Sequence, residues 1–169
     1  MKGLQPPASV AASAFGLRVR ADDYADLIAV GREVKAALAG ADAVRHPSDD
    51  RLSGLYGVIL YDDLGDLPGG PHQRNVTVFA DGEVDRSPCG SGTSARLALL
   101  AADGRLDGGA VLRHDSIVDT TFLGRVVERV SAEGRDAVLS EVEGMAFRTG
   151  EHRFTLDPRD PLGTGFVLR

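Results

Sequence analysis

The sequence predicts an α+β domain: an antiparallel sheet curled round one central apolar helix, with a second, amphipathic helix outside it. Three observations carry that expectation. Residues 95–106 are apolar on nearly every side, with Ala95, Leu97, Ala98, Leu99, Leu100, Ala101 and Ala102 in succession or nearly so, and a helix apolar all round belongs inside a protein. Tyr24, Leu27, Ile28, Gly31, Val34 and Leu38 recur at spacings of three and four, the stripe of a helix that covers a core with one face. The other apolar runs are short and β-prone, separated by glycine, proline and aspartate, which is the punctuation of strands and turns.

Composition narrows the class. With 169 residues, 43% hydrophobic and 26% charged, the chain is long enough to enclose one core. A net charge of −6, without a cluster of lysine or arginine, speaks against nucleic acid and anionic membrane as partners. No apolar run approaches the roughly 18 residues of a membrane span, and the first 14 residues do not read as a signal peptide. The cytoplasm is the expected location. One cysteine allows no internal disulfide and no cysteine-based zinc site. The four histidines, His46, His72, His114 and His152, are widely spaced and read as structural or surface residues, so no metal is expected.

In chain order, residues 1–14 are Pro/Ala/Ser-rich and read as a flexible start or the stub of something longer. Asp22 or Asp23 can cap the amphipathic helix, which ends before Gly40. A polar connection containing His46 and Pro47 leads to a buried strand over 55–61. The Gly/Pro-rich stretch 64–73 reads as a turn, 74–79 as a strand with Val76 and Val78 on one face, and Asp81-Gly82 as a tight turn. Beyond the apolar helix come short strands over 111–117, 120–130, 137–143 and 145–156, with hairpin turns at Gly134 and Gly150. Asp62-Asp63 and residues 157–160 read as solvated turns. The tail 157–169 is broken by proline and glycine and closes on a small apolar group at 166–168.

The chemistry concentrates in Asp85-Arg86-Ser87-Pro88-Cys89-Gly90-Ser91-Gly92-Thr93-Ser94-Ala95-Arg96, which holds the single cysteine. Proline ends the preceding strand, the glycines admit steep turns, and Thr93 or Ser94 opens the apolar helix. Cys89 is therefore expected just before a helix N-terminus. Unpaired backbone N–H groups and the positive end of the helix dipole favour an anion there, a thiolate or a bound carboxylate or phosphate. No lysine follows Gly92 as in a P-loop, and Ser91 lacks the Gly-x-Ser-x-Gly frame of a serine hydrolase. Left to base rates, a lone cysteine is a small buried hydrophobe, Asp85 a turn residue and Phe79 core.

This run resembles the second cysteine motif of the proline racemase family, which includes 4-hydroxyproline epimerases and trans-3-hydroxyproline dehydratases. The resemblance continues through His114-Asp115-Ser116-Ile117, Phe122-Leu123-Gly124-Arg125-Val126, Thr149-Gly150-Glu151-His152 and Phe154-Thr155-Leu156-Asp157-Pro158. Upstream it takes in His46-Pro47 and the helix from Asp22. It implies a diaminopimelate-epimerase-like fold, in which two similar domains face each other across a cleft and each contributes one catalytic cysteine. The family's first motif, cysteine-glycine-histidine-glycine-threonine, has no counterpart here. The chain thus resembles the C-terminal half of such an enzyme, residues 15–169 forming the second domain and the tail packing on the first.

The resemblance further implies cofactor-independent racemisation or epimerisation at the α-carbon of proline or 4-hydroxyproline. Cys89 would be the acid/base on one face of the ring, Asp85 would bind the ring ammonium, Gly90 and Ser91 the carboxylate, and Phe79 would pack on the ring. Cysteine here, where some family dehydratases have threonine, favours the racemase or epimerase over the trans-3-hydroxyproline dehydratase. Because acid and base must straddle the substrate, one cysteine cannot do both. Three arrangements follow: a missing N-terminal half, a homodimer presenting Cys89 twice, or a non-catalytic remnant that still binds a small carboxylate.

Overall fold

The computed structural model describes residues 7–165, so positions 1–6 and the closing apolar group at 166–168 lie outside the described residues. Seven strands form one sheet: β1 Ala8–Ala11, β2 Gly57–Leu67, β3 Gly70–Phe79, β4 Glu83–Val84, β5 Leu112–Ser116, β6 Thr121–Ala132 and β7 Arg135–Glu143. Their order is β1-β2-β3-β5-β6-β7, with β4 paired to the end of β3. The helices are α1, Tyr24–Leu38, and α2, Gly90–Ala102.

The α+β class holds, but the sheet is mixed rather than antiparallel. β1 runs parallel to β2, and β3 parallel to β5. The β3-to-β5 crossover contains β4, the cysteine loop and α2, so the parallel pairing places α2 on the sheet. β1 lies within the stretch expected to be a loose start. Short and poor in large side chains, it is ordered by pairing with β2 and followed by the fully buried Ala12.

The two helices occupy opposite faces. Val58, Leu60, Val76 and Val78 turn to the α1 side and share a core with Leu27, Val19 and Ala12. Gly31 lets α1 lie close, since a Cβ there would stand 2.7 Å from Val78 Cβ. On the other face Ile59, Leu112 and Gly124 meet α2. A Cβ on Gly92 would lie 2.7 Å from Ile59 Cδ1, and one on Gly124 2.9 Å from Leu97 Cδ1. The sheet bends around α2, which reaches β7 through Ser140 to Ser94 (3.1 Å) and β1 through Arg96 to Ser9 (3.3 Å).

Several local expectations are revised by long-range contacts. α2 starts at Gly90, five residues before the apolar run, because Thr93 N–H already donates to Cys89 O at 2.8 Å. It is not enclosed all round: Leu97, Leu100 and Ala101 are buried, but Ala98 and Leu99 face solvent. Arg96 is buried instead, its Nε donating to Gln73 Oε1 at 3.0 Å and its guanidinium 3.8 Å over the Tyr61 ring. α1 is where its stripe placed it, yet Asp23 does not cap it; its carboxylate takes Arg18 N–H at 2.8 Å and the Arg20 guanidinium. Most of the Gly/Pro-rich stretch 64–73 belongs to the β2–β3 hairpin, which absorbs the irregularity as a register shift between Asp63 and Asp66. Asp62 is buried and accepts Val19 N–H at 2.9 Å, while Asp63 pairs with Arg105. Residues 144–156 form no strand and no turn at Gly150, and Met145, Phe147 and Phe154 are at least 78% exposed. Among the described residues no helix is long and apolar enough to cross a membrane.

Candidate active site

Cys89 is the N-cap residue of α2 and is buried, 6% exposed. The amides of Gly90, Ser91 and Gly92 precede the first intrahelical bond, which makes them free donors at the positive end of the helix. Cys89 itself has φ 64° and ψ 120°, a backbone conformation that on an L-residue costs about 1–3 kcal/mol and collects at functional sites.

The loop before it is tied down by its own side chains. Asp85 Oδ1 accepts Ser87 N–H at 2.8 Å and Ser87 Oγ–H at 2.9 Å, and Ser87 Oγ in turn accepts Cys89 N–H at 3.0 Å. Asp85 Oδ2 has no hydrogen-bond partner among the described residues. Ser91 Oγ stands 3.4 Å from Cys89 Sγ. The Cys89 sulfur therefore has a hydroxyl beside it and an array of amides following it.

Cys89, Asp85, Gly90 and Ser91 thus come together in one turn. Phe79 ends β3 on the same face of that strand as Asn75 and Thr77, and one side of its ring is stacked on Tyr56, with centroids 5.8 Å apart. A cavity of about 350 Å³ walled by Tyr24, Val84, Asp85, Ile117 and Val118 lies on the α1 side. Its walls include Asp85 but not Cys89.

Beneath the loop lie three residues whose bonds to it sequence reading did not anticipate. Asn75 Nδ2 donates to Pro88 O at 2.8 Å, Thr93 Oγ1 lies 3.4 Å from the same carbonyl, and Thr93 Oγ1 is 2.9 Å from His114 Nδ1. The signal available was phase: in a strand whose Val76 and Val78 point one way, Asn75 and Thr77 must point the other, into a second buried surface.

His114 is fully buried, and that burial, with the nearby charge of Arg96, pushes its pKa from 6.5 down to about 3 against a smaller opposing pull from Asp115. The folded protein keeps the ring neutral in weak acid, whereas the unfolded chain protonates it below pH 6.5. With more protons bound by the unfolded state, stability falls as the pH drops through this window, by up to about 1.4 kcal/mol per pH unit. Urea midpoints of the wild type should decline between pH 6.5 and 4.5, and those of His114→Asn should be nearly flat. Parallel declines would remove His114 as the cause.

The sequence matches the family model described as proline racemase over residues 7–167. It is 45% identical over 157 residues to a trans-3-hydroxy-L-proline dehydratase of Bacillus cereus, covering 91% of this chain and 46% of that protein. It is 43% identical over 157 residues to a 3-hydroxyproline 2-epimerase of Burkholderia multivorans, covering 92% of this chain and 46% of that one. Its fold matches the crystal structure of a hydroxyproline epimerase from Agrobacterium vitis with bound trans-4-hydroxy-L-proline, with a TM-score of 0.79 at 34% identity over 96% of this chain and 46% of that one. The chain spans about half the length of these relatives. A mixed sheet bent round a helix that begins at Cys89, with this match over nearly every residue, makes the chain a member of the proline racemase family.

Proposed function

We propose that this chain supplies one face of a cofactor-independent active site acting at the α-carbon of proline or 4-hydroxyproline, with Cys89 as the acid/base on that face. The observation that supports it most is a cysteine held at positive φ as the N-cap of α2, directly ahead of three free amides. As thiolate, Cys89 takes the α-hydrogen, and the C–H electron pair passes into the substrate carboxylate. The N–H groups of Gly90 and Ser91 hold the charge that accumulates there, already oriented before the reaction. Asp85 Oδ2 takes the ring ammonium, and Ser91 Oγ–H stabilises the thiolate. Phe79 offers the unstacked side of its ring to the substrate.

Inversion needs a proton delivered to the opposite face, and Cys89 is the only cysteine in the sequence. The second acid/base then lies outside these 169 residues: either in a second copy across a two-fold axis or in a segment equivalent to the rest of the relatives' length. The segment 144–165, which joins no strand and leaves Met145, Phe147, Phe154 and Leu156 exposed, is the part of the chain suited to pack against it.

The Bacillus cereus relative supports a second reading, dehydration of trans-3-hydroxyproline. That reaction begins with the same removal of the α-hydrogen, but the electron pair then expels the neighbouring hydroxyl, which leaves as water with the proton returned by the thiol, instead of accepting a proton. Cys89 would serve both reactions as base. Pyrrole-2-carboxylate, a planar mimic of the deprotonated ring, tests the common step: it should slow alkylation of Cys89 by iodoacetamide, while pyrrole without the carboxylate should not. Equal alkylation with and without the carboxylate would sink the proposal.

A further inference from the structure

We infer that Asn75 is a positioning residue, which with Ser87 grips the peptide between Pro88 and Cys89 and so holds the cysteine at positive φ. The inference rests on the reading of Cys89 as acid/base. The orientation of that peptide plane is set by ψ of Pro88 and φ of Cys89, and it is bonded at both poles. Its carbonyl accepts from Asn75 Nδ2 at 2.8 Å, and its N–H donates to Ser87 Oγ at 3.0 Å. Rotating the plane toward a relaxed φ breaks both bonds together, leaving a buried Asn75 amide with nothing to donate to.

Asn75 has no other evident purpose in the core. It is fully buried in β3, between Arg74 and Val76, and its Oδ1 is buried without a hydrogen-bond partner. An apolar side chain of similar size would pack in that position without stranding an acceptor. A residue that is unfavourable for packing and well placed for one loop carbonyl is explained by the loop. Thr93 supports the same carbonyl from α2, and His114 supports Thr93.

The clamp also apportions the groups around Cys89. Because its own N–H is taken by Ser87, a bound carboxylate is left with the amides of Gly90, Ser91 and Gly92. Because Asp85 Oδ1 anchors Ser87, only Oδ2 faces a ligand. Asp85 therefore shapes the loop and binds through different oxygens.

The test compares Cys89→Gly with Cys89→Ala by thermal unfolding, in the natural background and in Asn75→Leu. Glycine takes positive φ without strain, so with Asn75 present the glycine variant should melt about 2–4 °C above the alanine variant. In Asn75→Leu the loop relaxes, and the gap should vanish or reverse. An equal gap in both backgrounds overturns the inference. With Cys89 restored, Asn75→Leu should weaken pyrrole-2-carboxylate binding about tenfold, since the amide array no longer starts from a held peptide; unchanged affinity also overturns it. Should Asn75→Leu fail to fold, Ser87→Ala releases the other pole and should give the same two results, with Ser87→Thr restoring both. If the unmodified protein binds no pyrrole-2-carboxylate, the proposed function falls, and the glycine–alanine gap still decides the clamp.

Discussion

Cys89→Ala is expected to abolish exchange of the α-hydrogen of L-proline or 4-hydroxyproline with D₂O. The expectation applies to the chain as a homodimer, or co-expressed with a polypeptide that carries the cysteine-glycine-histidine motif. A positioned acid/base accelerates proton transfer by about 10²–10⁴-fold, and nothing else in the turn can replace the sulfur. Ser91, whose hydroxyl stands 3.4 Å from the sulfur, is far too weakly acidic to supply a base at neutral pH. Cys89→Ser should therefore be as inactive as the alanine variant although its shape is nearly retained. Exchange is followed by loss of the α-proton NMR signal. Retention of more than a small fraction of the natural rate in Cys89→Ala would move the acid/base elsewhere, and no exchange by the natural chain in either assembly would leave the binding-only reading.

The second large effect is expected at Asp85, where two substitutions separate its two tasks. Asparagine keeps an oxygen that can accept from Ser87 N–H and Oγ–H, which at present bond Asp85 Oδ1 at 2.8 and 2.9 Å. It removes the negative charge that would face the ring ammonium. Losing one partner of a desolvated charge pair costs about 2–5 kcal/mol, so kcat/KM should fall by about 10²-fold or more, chiefly through KM. Asp85→Leu also withdraws the anchor of Ser87, and should lower kcat as well by letting Cys89 relax. Were Asp85→Asn to match the natural protein, Asp85 would be confined to shaping the loop.

Much of the candidate site was legible because it is local. Proline, glycine and the first apolar residues of a helix lie within a dozen positions of Cys89, and chain stereochemistry alone brings them into one turn. The same holds for α1, whose three-and-four spacing needs no knowledge of its partner, and for the β6–β7 hairpin at Gly134, whose φ is 72°. Asn75 was not legible as a site residue. It is far from Cys89 in sequence, and the bond between its amide and Pro88 exists only because β3, β4 and the loop fold back on one another.

The strands divide along the same line. Residues 145–156 have strand-like composition but no ladder to join, and they stay outside the sheet and exposed. Ala8–Ala11 has little strand character but an open edge of β2 beside it, and it pairs. Gly65, Pro68 and Gly69 suggest a long turn, whereas the register imposed by the rest of the β2–β3 hairpin carries the pairing through to Leu67 and Gly70. β-structure depends on partners remote in sequence, so patterns within one segment cannot decide it.

By itself, then, the sequence determined the α+β class, the amphipathic outer helix and a cysteine at the start of an apolar one, since each follows from side-chain periodicity and backbone sterics over a few residues. Only the tertiary structure decided the parallel pairings that put the two helices on opposite faces, the burial of Arg96 and His114, and the two-ended hold on the peptide before Cys89. Those depend on which remote groups are brought within hydrogen-bond reach, and no local pattern contains that distance.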